Sequence, residues 1–185
     1  MRLPLAQLAI IASLTATGAV GTTATAGAQE GPQPAPQVIR MEDDCDRATF
    51  NAVLGRGACV GDGGTTFEEL FSQLVEGRRA GAWRFSPNRI TLERGDALRA
   101  RNQGGETHSF TRVRRYGPGC VPEVNEALGF PPGVFARECS RPAWLRTLRA
   151  PGTAIRVRGL EEGTHRFACL IHPWMRTTVQ VRAAD

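Results

Sequence analysis

From residue 82 onward, apolar and polar residues alternate in short stretches. The stretches are separated by Gly, Pro, Asn and Asp, which are typical of turns. An alternation with a period of two is that of strands with one face buried, and many such strands predict an all-β sandwich. The predicted strands cover residues 83–85, 89–93, 97–101, 107–113, 154–158, 164–169 and 177–182.

Residues 42–80 show a helical period instead. Asp46 is suited to cap a first helix, Arg47–Leu54, which Gly55 would end. Thr65 or Thr66 is suited to cap a second helix that ends near Gly77. The apolar side of this second helix predicts packing against a core and comprises Phe67, Leu70, Phe71, Leu74 and Val75. The segment is therefore expected to form a small helical extension.

The strand pattern fails between Tyr116 and Pro151, where prolines and glycines are frequent. We expect an insertion over about 116–151 within the β domain. A loop of this length inside a compact domain needs a staple. Cys120 and Cys139 lie within it and can form one.

The first 28 residues are typical of an export signal. Arg2 precedes a mostly apolar run, residues 3–20, and an Ala-Gly-Ala sequence predicts cleavage before Gln29. The alternative is a membrane anchor, but polar residues interrupt the run and it is short for a span. We therefore expect a periplasmic or secreted protein with three parts: a signal peptide (1–28), a linker and helical extension (29–80) and a β domain (81–185).

All the lysine and arginine positions of the chain are arginine. The sequence has 23 Lys and Arg residues, none of them lysine, and a formal net charge of +5. An exported chain without interleaved aromatic and basic residues is not expected to bind nucleic acid. The clustered arginines are interpreted as solvated surface, with a docking patch for an acidic partner as the alternative. They are Arg112, Arg114, Arg115, Arg141, Arg146 and Arg149.

One short segment combines three kinds of metal ligand. Cys169, His172 and Met175 follow the 164–169 strand with a Cys-x2-His-x2-Met spacing. A thiolate, an imidazole and a thioether suit copper, and a second histidine would complete a trigonal site with a weak axial methionine. His108 is on an earlier strand and is suited to supply it. Zinc is the competing metal, but a thioether is not among its usual ligands.

These residues resemble those of the cupredoxin family of small blue-copper proteins. The resemblance covers residues 82–114 and 152–183 and includes Pro173 directly after His172, as in amicyanin. It implies a Greek-key β-sandwich with one type 1 copper held by His108, Cys169, His172 and Met175. Ser109 stands where the family usually has asparagine. Its backbone amide still offers a donor to the ligand sulfur, so we expect that hydrogen bond to persist.

The five cysteines fit this interpretation. With Cys169 on the metal, the remaining four form two bridges, for which three pairings exist. We expect the local pairs, Cys45 with Cys59 and Cys120 with Cys139. The alternative to a metal site is a buried free thiol that packs the core. An unpaired thiol in an oxidising compartment is a liability unless it is bound.

The resemblance implies a carrier of single electrons between redox partner proteins, and the arginine-rich surface is suited to steer a partner that is acidic. A copper-delivery protein with the same site is the alternative. A self-contained copper enzyme is not expected, because the chain has only 3 histidines. A metal-free interaction module is disfavoured by the presence of all four ligands. Trp174 is expected to shield the metal, and His165 to pack in the core. The His172 ring edge is expected to lie nearest to solvent, with partners docking over it.

Overall fold

The computed structural model of the chain describes residues 35–140 and 142–184. The predicted signal peptide and the first part of the linker lie outside the described residues. None of the helices within the described ranges has the length and apolar character needed to cross a membrane.

The described residues form ten strands, three α-helices and two short 3-10 helices. The strands are β1 (Gln37–Glu42), β2 (Arg84–Ser86), β3 (Arg89–Glu93), β4 (Leu98–Asn102), β5 (His108–Ser109), β6 (Thr111–Val113), β7 (Leu148–Arg149), β8 (Ala154–Val157), β9 (Gly163–Ala168) and β10 (Arg176–Arg182). The helices are α1 (Arg47–Leu54), α2 (Phe67–Gly77) and α3 (Pro122–Ala127), with 3-10 helices at Arg137–Ser140 and Pro142–Thr147.

Two four-stranded sheets build a sandwich. One has the order β2-β1-β4-β8 and the other β3-β10-β9-β6, while β5 and β7 form a separate pair. The β1–β4 and β3–β10 pairs are parallel, and the others are antiparallel. Apolar side chains from both sheets meet in one core, where the rings of Phe110 and Phe167 stack with centroids 4.5 Å apart. The predicted all-β sandwich is confirmed.

The two helices of the extension begin where their caps were predicted. Asp46 accepts a hydrogen bond from the Thr49 amide at 2.8 Å, and Thr66 forms a reciprocal capping box with Glu69. Phe50 of α1 is fully buried and stacks on Trp83 at 5.9 Å between centroids. The extension therefore packs onto the sandwich and shares its core.

β1 was not predicted. It lies in the segment that the sequence analysis assigned to the linker and extension, yet it pairs with both β2 and β4 inside a sheet. Ile39 and Met41 are fully buried and alternate with Val38 and Arg40, which are exposed. The alternation was present in the sequence, but the Pro- and Gln-rich residues directly before it favoured a loop.

Both local disulfides are confirmed, Cys45–Cys59 and Cys120–Cys139. Cys169 is the one free cysteine of the described residues, and it is buried. The predicted insertion contains α3 and the two 3-10 helices, and it ends in β7. Because β7 pairs with β5, the returning end of the insertion lies beside His108, which faces Arg149 in the register.

Candidate metal centre

Three of the four predicted ligands converge on one point. The Nδ1 atoms of His108 and His172 lie 3.2 Å apart, and the Sγ atom of Cys169 lies 4.0 Å and 3.8 Å from them. All three ligand atoms fall within 4.8 Å of one another. The exposed fraction is 0% for His108 and Cys169 and 4% for His172. This group can hold a metal ion away from solvent.

The ligand loop connects β9 to β10. Cys169 follows the last residue of β9, and Met175 directly precedes β10. The loop is closed by two backbone bonds: the Cys169 amide donates to the Met175 carbonyl at 3.1 Å, and the Met175 amide donates to the His172 carbonyl at 2.9 Å. Met175 is fully buried on this loop. Its role as the axial ligand stays a prediction.

The sulfur of Cys169 accepts two backbone hydrogen bonds. They come from the amides of Ser109, at 3.3 Å, and His172, at 3.4 Å. The predicted amide donor at Ser109 is therefore confirmed. The Ser109 hydroxyl also accepts the amide of Leu170 at 2.7 Å, which joins β5 to the start of the ligand loop.

The surroundings of Cys169 favour its thiolate. Burial raises the pKa of this thiol, but hydrogen bonds and charge from His108 and His172 outweigh burial and lower the pKa well below its ordinary value. The thiolate is the form of cysteine that binds metals. The site is thus electrostatically prepared for a cation.

Asp43 is the main residue of the site that the sequence analysis missed. Its side chain is 1% exposed, and its Oδ2 accepts a hydrogen bond from Nε2 of His108 at 2.7 Å. The amides of Gly105 and Glu106 also donate to this carboxylate, at 2.9 Å and 3.1 Å. Burial raises the pKa of Asp43, but the hydrogen bond and charge of His108 outweigh it and lower the pKa to about 2.

The contact with Asp43 sets the orientation of His108. A carboxylate only accepts, so Nε2 of His108 carries the proton that is shared with Asp43. Burial lowers the pKa of His108, but its bonds to Asp43 and Cys169 outweigh that effect and raise the pKa to about 9. Because Nε2 is bonded to Asp43, Nδ1 is the nitrogen that would bind a metal, and it already lies 4.0 Å from Cys169 Sγ. A histidine ligand backed by a carboxylate is a common arrangement at metal sites.

A second buried carboxylate, Glu106, stands beside His172. Its Oε2 accepts the indole N–H of Trp83 at 2.6 Å and lies 3.7 Å from Nε2 of His172. The ring of Trp174 packs edge-on against His172, with centroids 5.4 Å apart. Each histidine therefore has an acidic residue on the side of its ring away from Cys169.

The expectation that His172 is the predicted ligand nearest to solvent is confirmed, although the residue is still buried. This residue is the most exposed of the four predicted ligands, but its exposed fraction of 4% leaves it buried. Trp174 covers one side of the ring, and its indole N–H donates to the carbonyl of Ala80 at 3.0 Å. The extension thus closes the site through Ala80. The predicted shielding role agrees with the position of Trp174.

Little in the sequence distinguished Asp43 and Glu106 from surface acids. Both become buried through contacts between residues distant in the chain, which no local pattern records. The nearest signal is the glycine pair that precedes Glu106: a Cβ atom on Gly104 would overlap the Asp43 carboxylate. His165 stands apart from the site, since its Nε2 donates to the carbonyl of Glu161 at 2.6 Å.

The described residues form a two-sheet β-sandwich with a His-Cys-His ligand group, which is the combination that the resemblance to the cupredoxins implied. No protein-family model and no curated protein matches the sequence. Solved structures that resemble this chain include several cupredoxins. A purple cupredoxin from Nitrosopumilus maritimus is 14% identical with a TM-score of 0.41, and the match covers 79% of this chain and 99% of that one.

Two further structures show the range of the likeness. Plastocyanin from Dryopteris crassirhizoma is 16% identical with a TM-score of 0.38, and the match covers 78% of this chain and 99% of that one. A copper-containing nitrite reductase from Thermus scotoductus is 15% identical with a TM-score of 0.39, and the match covers 83% of this chain but 24% of that one.

Proposed function

We propose that this chain is an exported type 1 copper protein that carries single electrons between redox partners. The observation that carries the proposal is the convergence of two imidazole nitrogens and a thiolate sulfur at one buried point. His108, Cys169 and His172 would hold the metal, with Met175 as a weak fourth ligand. When bound there, copper supplies a one-electron couple, Cu(II) to Cu(I).

The donor set fits copper better than other first-row metals. Two imidazoles and one thiolate with a nearby thioether suit both of its oxidation states. Backbone N–H donors to Cys169 Sγ are a feature that tunes such sites, because they withdraw charge from the sulfur. The two amides that donate to this sulfur come from Ser109 and His172.

Other residues of the chain restrict the movement of the ligands and exclude water from them. Asp43 anchors His108, and Pro173 restricts the ligand loop because its φ angle is fixed. Trp174, which is held by the carbonyl of Ala80, keeps water away from His172. Ligands that stay in place during a change of metal charge favour fast electron transfer, since little has to rearrange.

The burial of the site disfavours the alternative of copper delivery. A delivery protein must release its metal readily, and here all four predicted ligands are at most 4% exposed. Enzymes of this fold class that carry a second, histidine-bound copper need more histidines than this chain offers. After the three-residue ligand group, only His165 remains. A non-enzymatic carrier is therefore the function we propose.

Export is supported by the cysteines. Two disulfides in a small domain are typical of oxidising compartments outside the cytoplasm. The residues 1–28 have the pattern of a cleaved signal peptide, as argued above. We propose that the protein acts in the periplasm or is secreted.

The visible spectrum tests the proposal. Copper-loaded, oxidised protein is expected to show an intense thiolate-to-copper band, to be blue or green, and to bleach on adding ascorbate. Cys169→Ser removes the thiolate and is expected to bind copper without this colour, while Ser140→Ala serves as an exposed control that keeps it. A colourless wild-type protein with one Cu(II) bound per chain would refute the type 1 assignment.

A further inference from the structure

A groove lined by arginine lies beside the ligand strand. Two adjoining cavities of about 610 Å³ and about 580 Å³ share Val113, Arg114, Arg137 and Glu138, and so form one continuous groove. One wall is made by the ends of β6 and β9, and the other by residues 134–138 of the insertion. The groove is lined by five arginines: Arg112, Arg114, Arg115, Arg137 and Arg166.

The positive charge of the groove is not balanced from within. None of the five arginines forms a salt bridge with a carboxylate of the described residues, and the one acidic residue of the lining is Glu138. All five are exposed. Five cations around one carboxylate create a local field that attracts a negatively charged ligand.

The insertion wall is held firmly in place. The buried side chain of Asn125 donates to the carbonyls of Gly119 and Val134 at 3.1 Å and 3.0 Å. The Cys120–Cys139 disulfide closes the same segment, and the Cys120 amide donates to the carbonyl of Leu170 at 2.6 Å. The groove therefore exists before any partner binds, which lowers the entropic cost of binding.

The floor of the groove includes residues that are sequence neighbours of a predicted metal ligand. Its buried apolar residues include Ala168 and Leu170, which are the two neighbours of Cys169. At its rim, Val134 and Phe135 are 40% and 44% exposed. Arginine and exposed aromatic side chains together are typical of the energetically important part of a protein interface. A small anion would use the charge but leave these apolar side chains uncovered.

We infer that this groove binds an acidic segment of the protein that exchanges electrons with the chain, rather than the partner docking over His172. The inference rests on the proposed function, because it names the docking site of the redox partner. Carboxylates of the segment pair with the arginines, and its apolar side chains cover Phe135. Docking there places the partner against the residues that flank Cys169.

Binding of a fluorescein-labelled oligo-glutamate peptide that contains one phenylalanine tests the inference. Anisotropy is measured at low salt with the full metal-loaded protein. The double variant Arg114→Ser/Arg137→Ser is expected to weaken binding about tenfold, since two ion pairs are lost. The control is Arg56→Ser/Arg79→Ser, which removes the same charge from exposed positions outside the groove and is expected to bind within about twofold of the wild type.

Equal weakening of peptide binding by the two double variants would overturn the inference, because the affinity would then depend on the net charge of the protein alone. Displacement of the peptide by an equal concentration of inorganic pyrophosphate would overturn it as well, since the groove would then bind small anions. Each variant is also checked for its visible band and for bleaching by ascorbate. A groove variant that keeps its colour but loses peptide binding supports the docking site, whereas a colourless wild type contradicts only the proposed function.

Discussion

Replacing Asp43 by asparagine tests whether the N-terminal extension takes part in metal binding. The amide has the shape of the carboxylate, but one of its two acceptor oxygens becomes a donor. If the new NH2 group faces His108, the 2.7 Å hydrogen bond from Nε2 is replaced by a contact between two donors. If it faces the other way, the Gly105 amide loses its acceptor instead. In both orientations His108 loses a charged partner.

The expected loss follows from what the structure shows to be buried. A hydrogen bond to a charged group contributes about 1.5–3 kcal/mol, and an unsatisfied buried donor costs a comparable amount. Part of this cost also falls on the metal-free protein and does not affect binding. The remainder corresponds to the range of about 10–100-fold in affinity that is usual when a carboxylate behind a histidine ligand is removed.

Competition with a chromogenic Cu(I) chelator measures the affinity of the wild type and of Asp43→Asn. The matched control is Asp44→Asn, in which the neighbouring exposed carboxylate, bonded to Thr65 and Gly64, loses its charge instead. Denaturant unfolding of the same samples separates instability from weak binding. The visible band of the Cu(II) form is expected to shift in Asp43→Asn but not in the control, because the ring of His108 loses its anchor.

Equal affinities and unshifted bands in Asp43→Asn and Asp44→Asn would refute the positioning role of Asp43. The carboxylate would then serve only to join the extension to the backbone of Gly105 and Glu106. A folded Asp43→Asn protein with unchanged affinity but lower stability would lead to the same conclusion.

Two further changes probe the surroundings of the site. Glu106→Gln keeps an acceptor for Trp83 and removes a carboxylate 3.7 Å from His172. The same chelator competition is expected to show a smaller loss of copper affinity than in Asp43→Asn. A larger loss of affinity would mean that Glu106 is the main anchor of the histidine ligands. Gly105→Ala places a Cβ atom against the Gly61 backbone and Cys45 Sγ, and is expected to lower the free energy of unfolding by about 1–3 kcal/mol in denaturant titration. Gly77→Ala, where a Cβ atom meets nothing, is the control, and an equal effect of both changes would contradict the packing argument.

The parts of the structure that were predicted depend on local signals. The helix α1 could be predicted because Asp46 and Gly55 mark its ends, and the strands because apolar residues alternate along them. The ligand loop could be predicted because three of its donors lie within seven consecutive residues, 169–175. In each case, the residues that carry the signal are neighbours in the chain.

The parts that were missed depend on contacts between distant residues. Asp43 lies 65 positions before His108, and its burial requires the pairing of β1 with β4. The cover over His172 depends on the hydrogen bond between Trp174 and Ala80, which are 94 positions apart along the chain. A single sequence does not report such pairs, because it does not distinguish a buried aspartate from an exposed one. For this reason the role of residues 35–80 became clear only from the structure.

The packing of the extension also explains why His172 is buried. Phe50 on α1 stacks against Trp83, and Trp83 donates its indole proton to Glu106. Glu106 in turn stands against His172, so one continuous set of buried contacts leads from the first helix to the metal ligand. Opening a path to His172 would break this set and expose a carboxylate and two aromatic rings. Ala168 and Leu170, the neighbours of Cys169, already line an open groove. If the protein carries electrons as proposed, a route on the side of the thiolate would therefore require no rearrangement.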